Sequence, residues 1–304
     1  MSALTSSIAI DHRRTWTDRL ASAIIAGLFV LACVPLVGLL WTVVKRGLAR
    51  FDLVFFTSSM RDVIGPGGGA VHAIIGTAEI TLAASVISVP VGLGTAIYLV
   101  EYGRGVFPKV IRFLTDVMTG IPSIVAGLFA YALIVIVAGP GARSGLAGAV
   151  ALSLLMIPVV VKSSEEILVL VPDEVREAST GLGAPKYKTV VSVVLPAAMS
   201  GIVAGIMLGI CRIIGETAPL LLVAGFTDSV NHNLFSGRMA TLPVYIYSQW
   251  QNKGADQSAY DNRAWTAALV LIIIVLVFNL AARFVSHLLS PRTRSSRSSR
   301  KEQR

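Results

Sequence analysis

Charge is scarce in this chain: 14% of its 304 residues are Asp, Glu, Lys or Arg, while 54% are hydrophobic. A water-soluble globule of that composition could not clothe itself in polar groups, which excludes one compact soluble domain. Cysteine is scarcer still. Cys33 and Cys211 both fall inside long apolar runs, so neither a disulfide framework nor a thiolate zinc site is available. His12, His72, His232 and His287 are scattered without ligand spacing, and no metal site is expected. Also missing are a Gly-x-x-x-x-Gly-Lys-Ser/Thr phosphate loop and the His-Glu-x-x-His and Gly-x-Ser-Gly signatures of hydrolases. The chain is therefore not expected to be an enzyme. No internal repeat is visible.

What is present is apolar length, with a mean hydropathy of +0.74. A hydrocarbon core about 30 Å thick requires about 20 apolar helical residues. Six runs reach that length, at 20–44, 73–100, 113–138, 146–170, 197–224 and 264–288. The first follows Arg13, Arg14 and Arg19, as a signal peptide would, and Leu31-Ala32-Cys33 faintly resembles a lipoprotein cleavage box. Its apolar stretch continues to Val44, beyond a signal-peptide core, so an uncleaved spanning helix is expected. The expected fold class is all-α: a polytopic membrane protein with six transmembrane helices at 20–288, a tail at 1–19 and a basic disordered tail at 289–304. Pro35, Pro90, Pro122, Pro158 and Pro219 fall within five of the six runs. Each removes a backbone donor, which lipid tolerates where neighbouring helices or a water-lined cavity satisfy the freed carbonyl.

Six spans put both termini on one side. Segments 1–19, 101–112, 162–188 and 283–304 hold 17 of the 26 Lys and Arg residues, and segments 45–61, 143 and 238–263 hold 8. The positive-inside rule then expects both termini in the cytoplasm. The tail SPRTRSSRSSRKEQR carries much of the net charge of +9 and reads as an anchor to anionic membrane lipid. Without aromatic platforms beside the charges, no nucleic-acid partner is expected. Two loops face outward, 46–72 with its Gly-Pro-Gly-Gly-Gly stretch and 225–262. Tyr245, Tyr247, Trp250 and Tyr260 in the second suit an interfacial belt or a docking surface.

The inward segment 171–196, VPDEVREASTGLGAPKYKTVVSVVLP, is too regular for a simple connection. Asp173 can cap a helix through Glu174 and Glu177, Gly181 and Gly183 offer a stop, and Pro185 suits the start of a second short helix running to Val194. A helix-turn-helix across the inward face follows. Its spacing resembles the loop shared by permease subunits of bacterial ABC importers: Glu177, Ala178 and Ser179, then Gly183 after three residues, then Val193, Leu195 and Pro196. Ser179 replaces an alanine of the family pattern and Val193 an isoleucine, both small or shape-preserving changes. The stretches GIPSIVAGLFAYAL (120–133), ETAPLLL (216–222) and RMATLPVYIY (238–247), with the outward glycine stretch, resemble the PstA-type permeases of phosphate-specific importers.

The resemblance implies a type I ABC importer permease fold in the bacterial inner (plasma) membrane, with the loop serving as coupling helix. It further implies pairing with a second, related permease, two copies of an ATPase subunit, and an extracytoplasmic phosphate-binding protein docking on 45–72 and 225–262. ATP and Mg would then be bound by the partner ATPase, and no cofactor by this chain. Small Ala178 and Ser179 suit close approach, Gly183 a sharp turn, and Glu177 a basic partner.

Two charges interrupt the fifth run, Arg212 and Glu216. An ionisable residue at mid-span costs roughly 2.5–3.5 kcal/mol on insertion scales and is a functional candidate by default. Four-residue spacing on a continuous helix would put both on one face, where they either form a structural salt bridge or share the handling of an anion, Arg212 offering a guanidinium fork to phosphate oxygens. The resemblance adds an association of this pair with phosphate translocation. Thr217 joins the candidate pathway. Glu79 reads as a structural partner for a charge on a neighbouring helix, or as a group that excludes other anions or relays protons. Asp116 reads as snorkelling to the inward face. Thr119 and Ser123, beside Pro122, offer hydroxyls either to an anion or to their own helix backbone. Rival readings are a permease for sulfate or molybdate, a secondary transporter working without ATP, and an intramembrane enzyme.

Overall fold

The computed structural model describes residues 12–63, 65–139, 141–252, 254 and 256–289; the far ends of both expected tails lie outside them. Among the described residues every regular element is helical. Five helices are long and apolar enough to cross a membrane, and a sixth span exists if one sharply bent pair is counted as a crossing.

Helix α1 (His12–Gly47) starts well before its expected boundary, and its most apolar stretch stands clear of the rest of the chain. Its last turns pack, where Val43 and Gly47 are buried and Gly47 O accepts from Thr266 Oγ1 at 2.8 Å. A short helix α2 (Leu53–Thr57) is capped by Asp52, which accepts from Phe55 N at 2.8 Å. Helix α3 (Val71–Ile97) runs the length of the bundle and ends in a π turn over Tyr98–Tyr102.

The third expected span is broken. Helix α4 (Phe107–Gly120) and helix α5 (Ser123–Ala138) meet at 109° across Ile121 and Pro122. Proline 122 has no amide hydrogen to extend α4, and it fixes the chain in an extended turn before α5. Helix α6 (Gly145–Val169) is the most enclosed element, packed on α3 along its length. The approach is close because small residues sit at the crossings. A Cβ on Gly92 of α3 would lie 2.8 Å from Val160 of α6. In lipid, where apolar area gives no drive to association, such packing is what holds helices together.

Helix α7 (Asp173–Gly181), helix α8 (Lys186–Thr189) and a π turn (Val190–Val194) form the segment at the C-terminal end of α6, and they lead into helix α9 (Leu195–Ile214). The fifth expected span is also interrupted: α9 stops at Ile214, and a short helix α10 (Ala218–Val223) follows after a three-residue break. Helix α11 (Leu242–Gln251) lies within the expected outer loop 225–262, and helix α12 (Gln257–Leu289) begins ahead of its expected start at 264.

Candidate functional site

The segment 171–196 folds as two helices joined by a turn, as its residues indicate. Gly183 takes a φ of +80°, a conformation that a Cβ would strain, and this turns the chain between α7 and α8. Pro172 rather than Asp173 precedes α7; Asp173 is its first helical residue and pairs with Arg176 Nη1 at 2.9 Å. Glu177 and Ala178 are exposed on α7, whereas Ser179 turns back and shares a 2.9 Å hydrogen bond with the Thr189 hydroxyl of α8. Leu182 is 90% exposed and Tyr187 66%, an apolar pair at the tip of the segment. Leu195 and Pro196 open α9. Pro196 lacks the amide that would bond four residues back, and the wider π winding just before it accommodates that gap.

The sequence reading did not single out Arg176, which anchors this segment. Its Nε donates to Glu101 Oε1 at 3.0 Å, Nη2 to Leu168 O at 2.9 Å, and Nη1 to Val171 O as well as Asp173. Glu101 lies in the π turn that closes α3, 75 positions away in sequence. Arg112 makes a parallel tie between α4 and α6, at 2.6 Å to Glu165 Oε1.

Arg212 and Glu216 do not form an ion pair among the described residues. Helix α9 ends two residues after Arg212, Gly215 caps it, and Glu216 lies in the break with its amide on Ile213 O at 3.2 Å. The four-residue spacing therefore no longer sets the two on one helical face. Arg212 is exposed on the surface of the subunit, in line along α9 with exposed Ala204 and Leu208; Glu216 and Thr217 are half-buried. Pro219, at the start of α10, packs against α5, where a Cβ on Gly127 would fall 2.7 Å from the Pro219 Cα. That contact joins α5 to α10, the helix that follows the break holding Glu216 and Thr217.

Thr119 belongs to a different contact. Its hydroxyl donates to Asp116 O at 2.6 Å and accepts from Lys162 Nζ at 3.3 Å, and the same ammonium pairs with Asp116 Oδ1 at 2.7 Å. Asp116 is thus paired to α6 instead of merely snorkelling, and Lys162 is a cation that the sequence reading passed over. Glu79 meets His232 Nδ1 at 2.8 Å, so α3 is tied to the loop 225–241.

The loop 46–72, expected to face outward, is held by two arginines. Arg263 is fully buried; its Nη1 donates to Gly65 O at 2.7 Å and Gly67 O at 2.9 Å, while its guanidinium stacks 4.5 Å from the Tyr260 ring centroid. Arg50 donates to Pro66 O and, at 3.0 Å, to Gly68 O. Four successive carbonyls of the Gly-Pro-Gly-Gly-Gly stretch, Gly65 to Gly68, thereby accept from cations. Tyr245 belongs to this core rather than to a surface belt: it is fully buried edge-on to His72 at 5.4 Å, and burial pushes its hydroxyl well above the ordinary tyrosine range. Tyr247 and Trp250 remain exposed.

A multi-span helical bundle, a two-helix segment at one end of it and an exposed arginine within a span together define a permease subunit. The chain belongs to the family described as binding-protein-dependent transport system inner membrane component, whose pattern it matches over residues 88–295. It is 46% identical over 285 residues to "Phosphate transport system permease protein PstA 1" of Mycobacterium tuberculosis, covering 93% of this chain and 91% of that protein. It is 37% identical over 273 residues to the PstA protein of Yersinia pestis, covering 90% of each. In fold it is similar to a chain of a bacterial alginate ABC transporter, with a TM-score of 0.65 at 13% identity over 93% of this chain and 98% of that one. A chain of the inward-facing MetNI methionine ABC transporter gives a TM-score of 0.59 at 17% identity, covering 72% and 95% respectively.

Proposed function

We propose that this chain is the translocation subunit of an ATP-driven phosphate importer, set in the bacterial plasma membrane with both termini cytoplasmic. One observation carries the reading. Arg212 presents a guanidinium from within a membrane helix, exposed and without an ion pair in its own subunit among the described residues. A lone cation facing lipid is costly, so that face of α9 belongs against a partner or a hydrated path. A second permease of the same family would supply the opposing wall. The names of the relatives supply the cargo class, and a guanidinium fork matches a phosphate oxyanion.

An extracytoplasmic binding protein would deliver phosphate to the outer loops. Two ATPase subunits, holding the ATP and Mg, would seat the segment of Glu177, Ala178, Ser179 and Gly183 and the exposed Leu182 and Tyr187. Closure of the ATPase pair on ATP would displace that segment, which continues through Leu195 and Pro196 into α9 and so to Arg212. Thr217, next to Glu216 in the break, and Ser123 would offer hydroxyls along the path, and Thr119 would contribute through Lys162, whose ammonium it accepts from.

The test is uptake of labelled phosphate by proteoliposomes holding the purified complex with its binding protein and internal ATP. ATP-dependent uptake resisting excess sulfate and molybdate is expected. Uptake by this chain alone without ATP would overturn the reading, and stronger competition by another oxyanion would reassign the cargo.

A further inference from the structure

We infer that Arg176 and Glu101 form the mechanical latch through which the coupling segment moves the membrane bundle. This rests on the coupling role proposed above, and it adds a second route for motion besides the chain itself.

The covalent route runs from α7 through the turn at Gly183, α8 and the π turn Val190–Val194 into α9. It contains a glycine in a left-handed conformation and a π winding, both of which bend at low cost, so by itself it transmits displacement poorly. The route through Arg176 is stiff. One guanidinium joins three elements: Nε holds Glu101 at the end of α3, Nη2 holds Leu168 O in the last turn of α6, and Nη1 holds Val171 O and Asp173. The Arg176 side chain is 18% exposed and that of Glu101 6%, so water competes little for the pair. A guanidinium over the last carbonyls of α6 also complements the negative end of that helix. A fork of fixed planar geometry serves this purpose where a flexible ammonium would not.

Helix α7 is consequently a rigid extension of α3 and α6, and the compliant part of the loop lies beyond it, at Gly183 and residues 190–194. Displacement of α7 by the ATPase would carry α3 and α6 as a body and concentrate relative motion against α9, where Arg212 stands. Arg176 and Glu101 act as positioning residues; neither needs to touch phosphate or ATP.

The experiment compares the complete reconstituted complex carrying Glu101→Gln or Arg176→Lys with the parent. It measures assembly by co-purification of the ATPase, ATP hydrolysis with and without phosphate-loaded binding protein, and phosphate taken up per ATP. Both variants are expected to retain the ATPase subunits and basal hydrolysis, while stimulation and the ratio of phosphate to ATP fall about tenfold, the size of one lost charge-assisted bond. A third variant, Glu101→Cys with Arg176→Cys in a Cys33→Ser, Cys211→Ser background, replaces the latch by a short bifunctional thiol cross-linker. Uncoupled before cross-linking and recoupled after it is the expected result. A parental ratio in Glu101→Gln and Arg176→Lys overturns the inference. So does a proportional loss of hydrolysis, uptake and assembly that the cross-linker leaves unrepaired, since that marks a merely structural role. Failure of the parent complex to link ATP to phosphate would instead strike the functional reading beneath it.

Discussion

Arg263 Nε donates to Gln249 Oε1 at 2.9 Å, with both side chains buried. Nη1 of the same guanidinium holds Gly65 O and Gly67 O, so a loop rich in glycine, which loses much backbone entropy on ordering, is tied to the buried arginine. Arg263→Met would leave Gln249 Oε1 buried without its partner and would release the carbonyls of half-buried Gly65 and exposed Gly67. A loss of about 1–3 kcal/mol is expected, the cost of leaving a buried polar group unpaired. It would be seen as a lower melting temperature of the detergent-solubilised complex and faster proteolysis within residues 58–69; an unchanged melting curve would contradict the assignment.

Arg212→Lys retains the charge but not the fork, and Arg212→Gln removes both. Phosphate uptake is expected to fall about tenfold or more in the first and further in the second, on the scale of charge-assisted bidentate bonding. ATPase co-purification should be unaffected, because Arg212 makes no ion pair inside the subunit among the described residues. Parental rate and affinity in Arg212→Lys would remove the requirement for a guanidinium.

Gly127→Ala tests the seam between α5 and α10. The added Cβ would lie 2.7 Å from the Pro219 Cα and 3.0 Å from its Cβ, so α10 must move away. Overpacking of this kind costs about 1–3 kcal/mol. Because the break carrying Glu216 precedes Pro219 directly, uptake is expected to fall more than stability does, as measured by transport rate against melting temperature in the same preparation.

Asp256 caps α12, its Oδ1 accepting from Ser258 Oγ at 2.7 Å and Ala259 N at 3.2 Å. These hydrogen bonds hold its carboxyl below the usual carboxylate range. The stabilisation it contributes is therefore complete above the unfolded-state value, and is lost as pH falls through the lower, folded one. Thermal melts in acid should show this loss in the parent, while Asp256→Asn, which keeps the cap without the charge, should be flatter below about pH 4. Equal acid sensitivity in both would exclude Asp256 as a source of it.

Much of the architecture was legible because it is local. A run of apolar residues long enough to cross hydrocarbon must be helical in lipid, whatever it packs against. The turn at Gly183 and the helix before it follow from residues that act on their immediate neighbours. The two interrupted spans are where that reading went too far. Pro122 and the Gly215–Pro219 stretch were legible as breakers, but whether a helix bends or stops depends on what receives its freed carbonyls. Tyr245 was misjudged for the opposite reason: an aromatic in an outer segment suits an interface equally well until neighbours such as His72 and Phe226 enclose it.

The sequence by itself determined that this chain lives in a membrane as a helical bundle, and that a two-helix segment follows its fourth apolar run. It also set two charges in the fifth run, where their presence demands a reason. Only the tertiary structure decided who those and the other charges meet. It joined Arg176 to Glu101 across 75 positions, closed Arg263 over a glycine loop nearly 200 positions earlier, and parted Arg212 from Glu216 across four. The physical reason is that an apolar helix in lipid carries little periodic signal for which face is inward. Partners of buried charges are chosen when helices pack, by small residues such as Gly92 that let the backbones come close.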